Sequence, residues 1–249
     1  MNNCWAESLG DCDGGISREH IVSESLFVSS YVDVKGFEWC KEETERIGLA
    51  SLTKKVLCRR HNSQLSKIDS AAAHAFDILR RQTKLSNDRG KQPEKKYKKI
   101  TFSINALALE QWPLKTLINI CFGEKYFIGP TSSQQGRPSD ELVKIVFGKD
   151  RFGAKNGMYV AAKAGGTLNF TDTISFSPLL KDNSHIYGGR FSFRGVYMFL
   201  DLSPEGLSVP FHQIPGIEYE WHHINLMRPF KQVNAALGNR ISHVVKFNW

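Results

Sequence analysis

The side chains best suited to acid–base and metal chemistry fall in two short stretches of the sequence, Ser17–His20 and Val56–Asp69. Histidine has an unperturbed pKa of about 6.5, so His20 could accept a proton from water near neutral pH. Glu19 and Asn62 offer oxygen ligands of the kind that Mg²⁺ or Mn²⁺ prefers. A base and a bound divalent cation can together activate water for hydrolysis. We therefore expect His20, Glu19 and Asn62 to form a catalytic site.

A second set of metal ligands is rich in cysteine. Four of the five cysteines lie within the first 58 residues, and in a reducing cytoplasm such clustering favours a metal site over disulfides. Cys58 and His61 have the spacing of a zinc-ligand pair, and Zn²⁺ takes four such ligands in a tetrahedron. Cys4 and Cys12, in an acidic loop that ends in two glycines, would complete the set. Cys40 is the competing ligand for the place of Cys12.

Together these residues resemble the HNH nucleases of the ββα-metal class, over roughly residues 4–79. In that family an Asp-His pair on the first strand supplies a metal ligand and the general base. A His or Asn at the start of the following helix supplies the second metal ligand. Glu19 and His20 match the first pair, with Glu in place of the commoner Asp, and Asn62 matches the last ligand.

The resemblance implies a metal-dependent endonuclease with a structural Zn²⁺ and a catalytic Mg²⁺ or Mn²⁺, and DNA is the expected substrate. Cys58 and His61 match the second zinc pair of the family, with His61 where a cysteine is usual. The middle Asn of the family has no clear counterpart, although Thr53 lies at about the right distance before Cys58. By analogy with small HNH proteins of bacteria and phages, we expect a role in defence against foreign DNA.

Hydrophobic periodicity predicts the elements that would position these residues. Apolar residues recur every three or four positions from Leu65 to Leu79, which predicts an amphipathic helix from Arg59 to about Thr83. Residues 16–23 and 54–57 are predicted strands, and residues 31–40 a hairpin. The order strand, strand, helix would bring the two chemical stretches together.

A polar and basic segment at residues 86–97 predicts a domain boundary. We expect a zinc-braced ββα-metal domain over residues 1–86 and a mixed α+β domain over residues 98–249, so the predicted fold class is α+β. The second domain is expected to serve targeting, regulation or oligomerisation, through a regulatory partner or a second copy. His222 and His223 would face opposite ways on a strand, which predicts burial rather than metal binding. In this half we predict helices at 107–121 and 140–147 and strands at 100–104, 158–162, 173–176, 185–193, 196–202 and 244–249.

Positive charge is concentrated next to the candidate site. Residues 54–99 hold fourteen Lys and Arg against four Asp and Glu, whereas residues 1–53 hold four against ten. Such a basic block beside a candidate nuclease site predicts contacts with nucleic-acid phosphates. A solvated helix face followed by a flexible linker is the alternative. The residues expected to contact phosphates are Lys54, Lys55, Arg59, Arg60, Lys95, Lys96, Lys98 and Lys99.

Composition narrows the remaining function classes. A hydrophobic content of 41% and a charged content of 23% are typical of globular domains, and without a run of eighteen apolar residues we expect no membrane partner. The first fifteen residues lack the basic and apolar regions of a secretion signal, so a cytoplasmic location is expected. The rival interpretation is a catalytically silent, zinc-braced module that binds nucleic acid. Retention of Glu19 and Asn62 beside His20 favours the enzyme.

Overall fold

The computed structural model describes residues 3–163, 171–182, 184–204, 224–227, 232–237 and 240–249. The predicted burial of His222 and His223 therefore falls outside the described residues. The described residues form a mixed α+β fold, as predicted. The strands are β1 (Ile16–His20), β2 (Tyr31–Lys35), β3 (Glu45–Gly48), β4 (Thr53–Cys58), β5 (Ile100–Asn105), β6 (Phe127–Ile128), β7 (Gly157–Lys163), β8 (Thr173–Lys181), β9 (His185–Phe193), β10 (Val196–Asp201), β11 (Ile224–Met227), β12 (Gln232–Leu237) and β13 (Arg240–Asn248). The helices are α1 (Arg59–Gly90), α2 (Ala106–Cys121) and α3 (Asp140–Val146).

The predicted order of strand, strand and helix is present around the candidate site. β1 and β4 form a two-stranded antiparallel sheet, with an irregularity between Ser17 and Arg18, and β4 leads directly into α1. Cys58 is the N-cap of α1, and its Sγ accepts a hydrogen bond from the backbone N–H of His61 at 3.5 Å. The N–H groups in the first turn of a helix have no acceptor within the helix, so an acceptor supplied at the N-cap fixes where the helix starts.

α1 is longer than the sequence predicts, since it continues past Thr83 to Gly90. The buried Arg89 explains the extension. Its guanidinium donates to the backbone carbonyl of Lys98 at 3.1 Å and lies 4.8 Å from the ring centroid of Tyr97. The segment after the helix thus holds the last turns in place, and the helix runs into the predicted linker.

Strands from both halves of the chain share one eight-stranded sheet, in the order β11-β7-β10-β9-β8-β2-β3, with β6 paired to β9. β2 pairs antiparallel with β3 and parallel with β8, so the predicted hairpin exists but its second strand begins after residue 40. Gly36 makes this junction possible. Its φ is +85°, and a Cβ there would lie 1.7 Å from the carbonyl oxygen of Phe176. A third sheet has the order β12-β13-β5.

One core of buried side chains includes residues from both predicted domains. The ring of Phe76 on α1 lies 5.6 Å from that of Trp112 on α2 and 4.9 Å from that of Phe193 on β9. The boundary predicted at 86–97 therefore does not separate two cores, and independent folding of residues 1–86 stays a prediction. No helix in the described part of the chain is long and apolar enough to cross a membrane.

Candidate functional site

Four predicted ligands meet at the junction of β4 and α1. The cluster consists of Cys4, Cys12, Cys58 and His61, and its four ligand atoms all lie within 4.8 Å of one another. We call it the Cys₃His cluster. The distances from His61 Nδ1 to the three Sγ atoms are 3.3, 3.6 and 3.2 Å. Ligands about 2.0–2.3 Å from a tetrahedral Zn²⁺ would be separated by about 3.6 Å, so the donor set and its spacing fit zinc.

Cys40 does not belong to this cluster. It closes a tight turn after β2, where its backbone N–H donates to Phe37 and its Sγ lies 3.7 Å from the carbonyl oxygen of Val34. Cys12 therefore takes the fourth place, as the sequence predicts, despite its wide separation from Cys4. A loop can close over seven residues when its ends are fixed elsewhere. Here the backbone N–H of Trp5 donates to Val56 on β4 at 3.0 Å.

Sequence analysis missed Asp11, which supports the cluster from outside. Its Oδ1 lies 2.7 Å from Nε2 of the buried His61, and its Oδ2 lies 3.0 Å from Nε of Arg60. The hydrogen bond with His61 holds the pKa of Asp11 below its usual range. Because Nε2 is occupied by a carboxylate, Nδ1 is the ring atom left for a metal, which is the usual arrangement of a metal-binding histidine. In the sequence, the position of Asp11 next to Cys12 could have indicated this role. Asp13 is also next to Cys12, so the sequence does not distinguish the two.

The thiols of the cluster differ in their ionisation. Burial raises the pKa of Cys4 and raises the pKa of Cys12 to about 12. At Cys58 burial acts in the same direction, but hydrogen bonds from the backbone of His61 and Asp13 outweigh it, so its pKa is lowered. A metal ion that binds these sulfurs must displace protons from them, which makes its affinity depend on pH.

His20 at the end of β1 and Asn62 in the first turn of α1 are both partly exposed. The His20 side chain is 30% exposed, and its Nε2 lies 3.6 Å from Oε2 of Glu24. Asn62 Nδ2 donates to Ser17 Oγ at 3.1 Å and to the carbonyl oxygen of Arg18 at 3.3 Å. Among the described residues no donor reaches Asn62 Oδ1, which leaves this oxygen able to accept a ligand. The first turn of α1 is thereby fixed against the strand that carries His20.

Glu19 occupies the opposite, buried side of β1, because successive residues of a strand alternate between its two faces. Its carboxylate forms an ion pair with Nζ of Lys115, a fully buried residue of α2. Lys115 also lies 2.7 and 2.8 Å from the two carboxylate oxygens of Asp69. Burial raises the pKa of Glu19, and the ammonium group of Lys115 opposes this rise.

The expectation that Glu19 turns toward a cation beside His20 is therefore not met here. The irregularity of β1 lies between Ser17 and Arg18 and does not rotate Glu19 onto the face of His20. A buried carboxylate needs a counter-charge, and Lys115 supplies it. Asn62 is available as an oxygen ligand and Glu19 is engaged, so the described donors do not by themselves fit Mg²⁺ or Mn²⁺.

The basic block divides into engaged and accessible side chains. Lys54 donates to the carbonyl oxygens of Ile120 and Phe122 at 3.3 and 2.7 Å and pairs with Glu124 at 3.1 Å. It thus caps the C-terminal end of α2, and its predicted role as a phosphate ligand conflicts with these contacts. Arg60 is exposed but paired with Asp11, as described above. The remaining predicted phosphate ligands are exposed: Lys55, Arg59, Lys95, Lys96, Lys98 and Lys99.

A cleft of about 600 Å³ opens where β1 ends and β4 begins. The cleft is lined by Ile21, which follows His20 in the sequence, and by Thr53, which pairs with His20 across the two strands. The exposed Trp39 and Glu42 also line it. The end of the strand that carries His20 therefore borders a concave surface large enough for a small ligand or part of a polymer.

In comparisons with known proteins, no family model, no curated protein and no solved structure matches the chain. The interpretation of the site depends on its own residues and geometry.

Proposed function

We propose that the chain is a metal-dependent endonuclease of the HNH type, which hydrolyses phosphodiester bonds of nucleic acid with His20 as the general base. The observation that supports this most is the placement of Asn62. It lies in the first turn of a helix anchored by the Cys₃His cluster, and it is hydrogen-bonded to the strand that carries His20. A base and an oxygen ligand are thereby held by two elements that meet at a candidate zinc site.

In this proposal the imidazole of His20 takes a proton from the water that attacks phosphorus. Glu24, whose carboxylate lies 3.6 Å from His20 Nε2, can stabilise the positive charge that forms on the ring. The partial exposure of His20 leaves room for that water. Removing a general base lowers the rate by about 10²–10⁴-fold.

The proposal includes two metal ions, and the described residues support them to different extents. Zn²⁺ fits the donors of the Cys₃His cluster and would stabilise the fold around it. A catalytic Mg²⁺ or Mn²⁺, which the HNH resemblance implies, would supply charge neutralisation at the phosphate. Asn62 is the available ligand for such a cation, whereas Glu19, which the resemblance also implies, is paired with Lys115 on the face of β1 opposite His20 and does not fit this role.

DNA is the proposed substrate, bound through the accessible members of the basic block around Lys55, Arg59 and Lys96–Lys99. A cytoplasmic role in defence against foreign DNA is part of the same proposal. The pairing of Glu19 with Lys115 favours a second candidate: a zinc-braced module that binds nucleic acid without cutting it. In that candidate, Glu19 serves the fold alone.

One experiment separates the two candidates. Plasmid, linear DNA and RNA would be incubated with the purified chain in Mg²⁺, Mn²⁺ or EDTA, alongside His20→Ala and His74→Ala variants. His74 is an exposed histidine of α1 outside the site and is the matched control. The nuclease proposal expects metal-dependent cleavage that His20→Ala loses and His74→Ala keeps. Binding without cleavage by the unaltered chain supports the silent module, and equal cleavage by both variants removes His20 from the mechanism.

A further inference from the structure

Three buried polar side chains, Trp112, Lys115 and Asn119, follow one another along one face of α2 at spacings of three and four residues. All three contact the segment around His20, and two of these contacts are to its side chains. Trp112 Nε1 donates to Ser23 Oγ at 3.0 Å, and Lys115 forms its ion pair with Glu19. Buried polar groups are costly unless their partners are in place. This face of α2 is therefore specific for the segment that it contacts.

Asn119 makes the contact closest to the candidate base. It is fully buried, its Nδ2 donates to the backbone carbonyl of His20 at 3.4 Å, and its Oδ1 accepts from Trp5 Nε1 at 3.0 Å. Trp5 directly follows Cys4, a member of the Cys₃His cluster. One side-chain amide thus joins the neighbour of a metal ligand to the peptide unit of His20.

The partner strand is tied to the same helix. Lys54 on β4 is the register partner of Glu19 on β1, and both side chains reach α2. Glu19 contacts Lys115 in the middle of the helix, whereas Lys54 caps its last carbonyls. Both strands of the β1–β4 pair are therefore held at fixed positions along α2.

We propose that α2 is the positioning element of the candidate site: Asn119 couples the Cys₃His cluster to His20, and Lys115 fixes β1 at Glu19. Neither side chain touches the reacting atoms, so both are positioning residues. The proposal rests on the proposed function for the role of His20 as the base. It also places residues that support the site in the half of the chain for which the sequence predicts a role in targeting, regulation or oligomerisation.

The coupling can be measured without any activity. The amide of Ile21 belongs to the same peptide unit as the His20 carbonyl and donates to Leu52 at 2.9 Å, so its hydrogen exchange reports on this unit. In the full-length, zinc-loaded chain, Trp5→Phe removes the bond to Asn119 and Asn119→Leu removes both bonds. We expect exchange at Ile21 to become about tenfold faster in each variant, the loss that one hydrogen bond represents. The double variant should exchange no faster than Asn119→Leu, because the two bonds act in series.

Two controls match these substitutions. Trp249→Phe makes the same replacement at an exposed tryptophan outside the cleft that Ile21 lines, and Asn105→Ala removes the N-cap of α2, where Asn105 Oδ1 accepts from Ala108. Both should leave exchange at Ile21 unchanged. Unchanged exchange in Trp5→Phe, or an additive effect in the double variant, would overturn the coupling. If Asn119→Leu does not fold, Trp5→Phe compared with Trp249→Phe decides by itself.

Activity then separates positioning from mere stability. If the chain cleaves nucleic acid, Trp5→Phe should lower kcat by about tenfold while KM stays the same, since misplacing a base does not alter ground-state binding. A rise in KM with unchanged kcat would contradict a positioning role. If the unaltered chain cleaves nothing, the proposed function fails, whereas the exchange measurement still decides whether Asn119 couples the cluster to His20.

Discussion

Asp11 Oδ1 lies 2.7 Å from Nε2 of His61, and Nδ1 of the same ring faces three cysteine sulfurs. A carboxylate on the far nitrogen of a metal-binding imidazole fixes the tautomer and the orientation of the ring. Asp11 is exposed enough to be changed without disturbing the core, whereas His61 is fully buried. The pair therefore allows the candidate zinc site to be tested from outside its ligand set.

We expect Asp11→Asn to weaken zinc binding by about 10–100-fold, the usual effect of losing an outer partner of a metal ligand. Asp13→Asn is the matched control, because Asp13 lies in the same loop and its Oδ1 accepts a hydrogen bond from the backbone N–H of Gly14. Competition with a chelator of known affinity measures the difference. Equal affinities in the two variants would show that Asp11 does not support the metal ligand.

The cysteines themselves give the second test. We expect one zinc per chain, lost together with cooperative unfolding in Cys58→Ser, because Cys58 is both a candidate ligand and the cap of α1. Cys40→Ser should keep the zinc, since its sulfur lies against the carbonyl of Val34 instead. Elemental analysis and thermal melting of both variants check this. Loss of zinc in Cys40→Ser and not in Cys12→Ser would reverse the ligand assignment.

Nucleic-acid binding should depend on salt through the accessible basic residues. If Lys55 and Arg59 contact phosphates, replacing either with Gln should reduce the log–log salt slope by ~0.7–0.9. Lys54→Gln should instead lower the stability of the chain and leave the slope unchanged, because Lys54 caps α2. Titrations of DNA at several salt concentrations measure the slopes. If neither Lys55→Gln nor Arg59→Gln changes the slope, these two side chains are solvated and do not contact phosphates.

His243 on β13 provides a test of stability against pH. It is fully buried, and burial, with the charge of Arg89, lowers its pKa from the ordinary value. The unfolded chain therefore takes up a proton more readily than the folded chain. The contribution of His243 to stability is present above its unfolded pKa and is lost as the pH falls through its folded pKa.

We expect the free energy of unfolding to decrease between about pH 7.5 and about pH 5 by more in the unaltered chain than in His243→Gln. Urea unfolding at both pH values, with zinc in excess, measures the two decreases. Taking their difference removes the contribution of the Cys₃His cluster, which is common to both proteins. Equal decreases would mean that His243 takes up its proton without cost to the fold.

Short-range features of this protein follow from the sequence. The spacing of Cys58 and His61 suits the end of a strand and the first turn of a helix, and both elements are found there. The periodicity of residues 107–121 predicts α2, which spans Ala106–Cys121 despite Pro113. Such patterns are local because a helix or strand repeats its contacts every few residues. The spacing and clustering of cysteines likewise predict the four members of the Cys₃His cluster, with Cys40 as the alternative to Cys12.

The partners of these residues were decided by tertiary structure. Whether the Glu19 carboxylate would bind a metal ion or pair with a lysine depended on where α2 packs. Its partner Lys115 is 96 residues away along the chain. The same holds for Asn119 and His20, and for Lys54 and the end of α2. Pairing of buried polar groups is set by which elements share the core, and no local repeat in the sequence records it. The types of the ligand residues can be predicted from the local sequence. Their counter-charges and hydrogen-bond partners are determined only by how the elements pack.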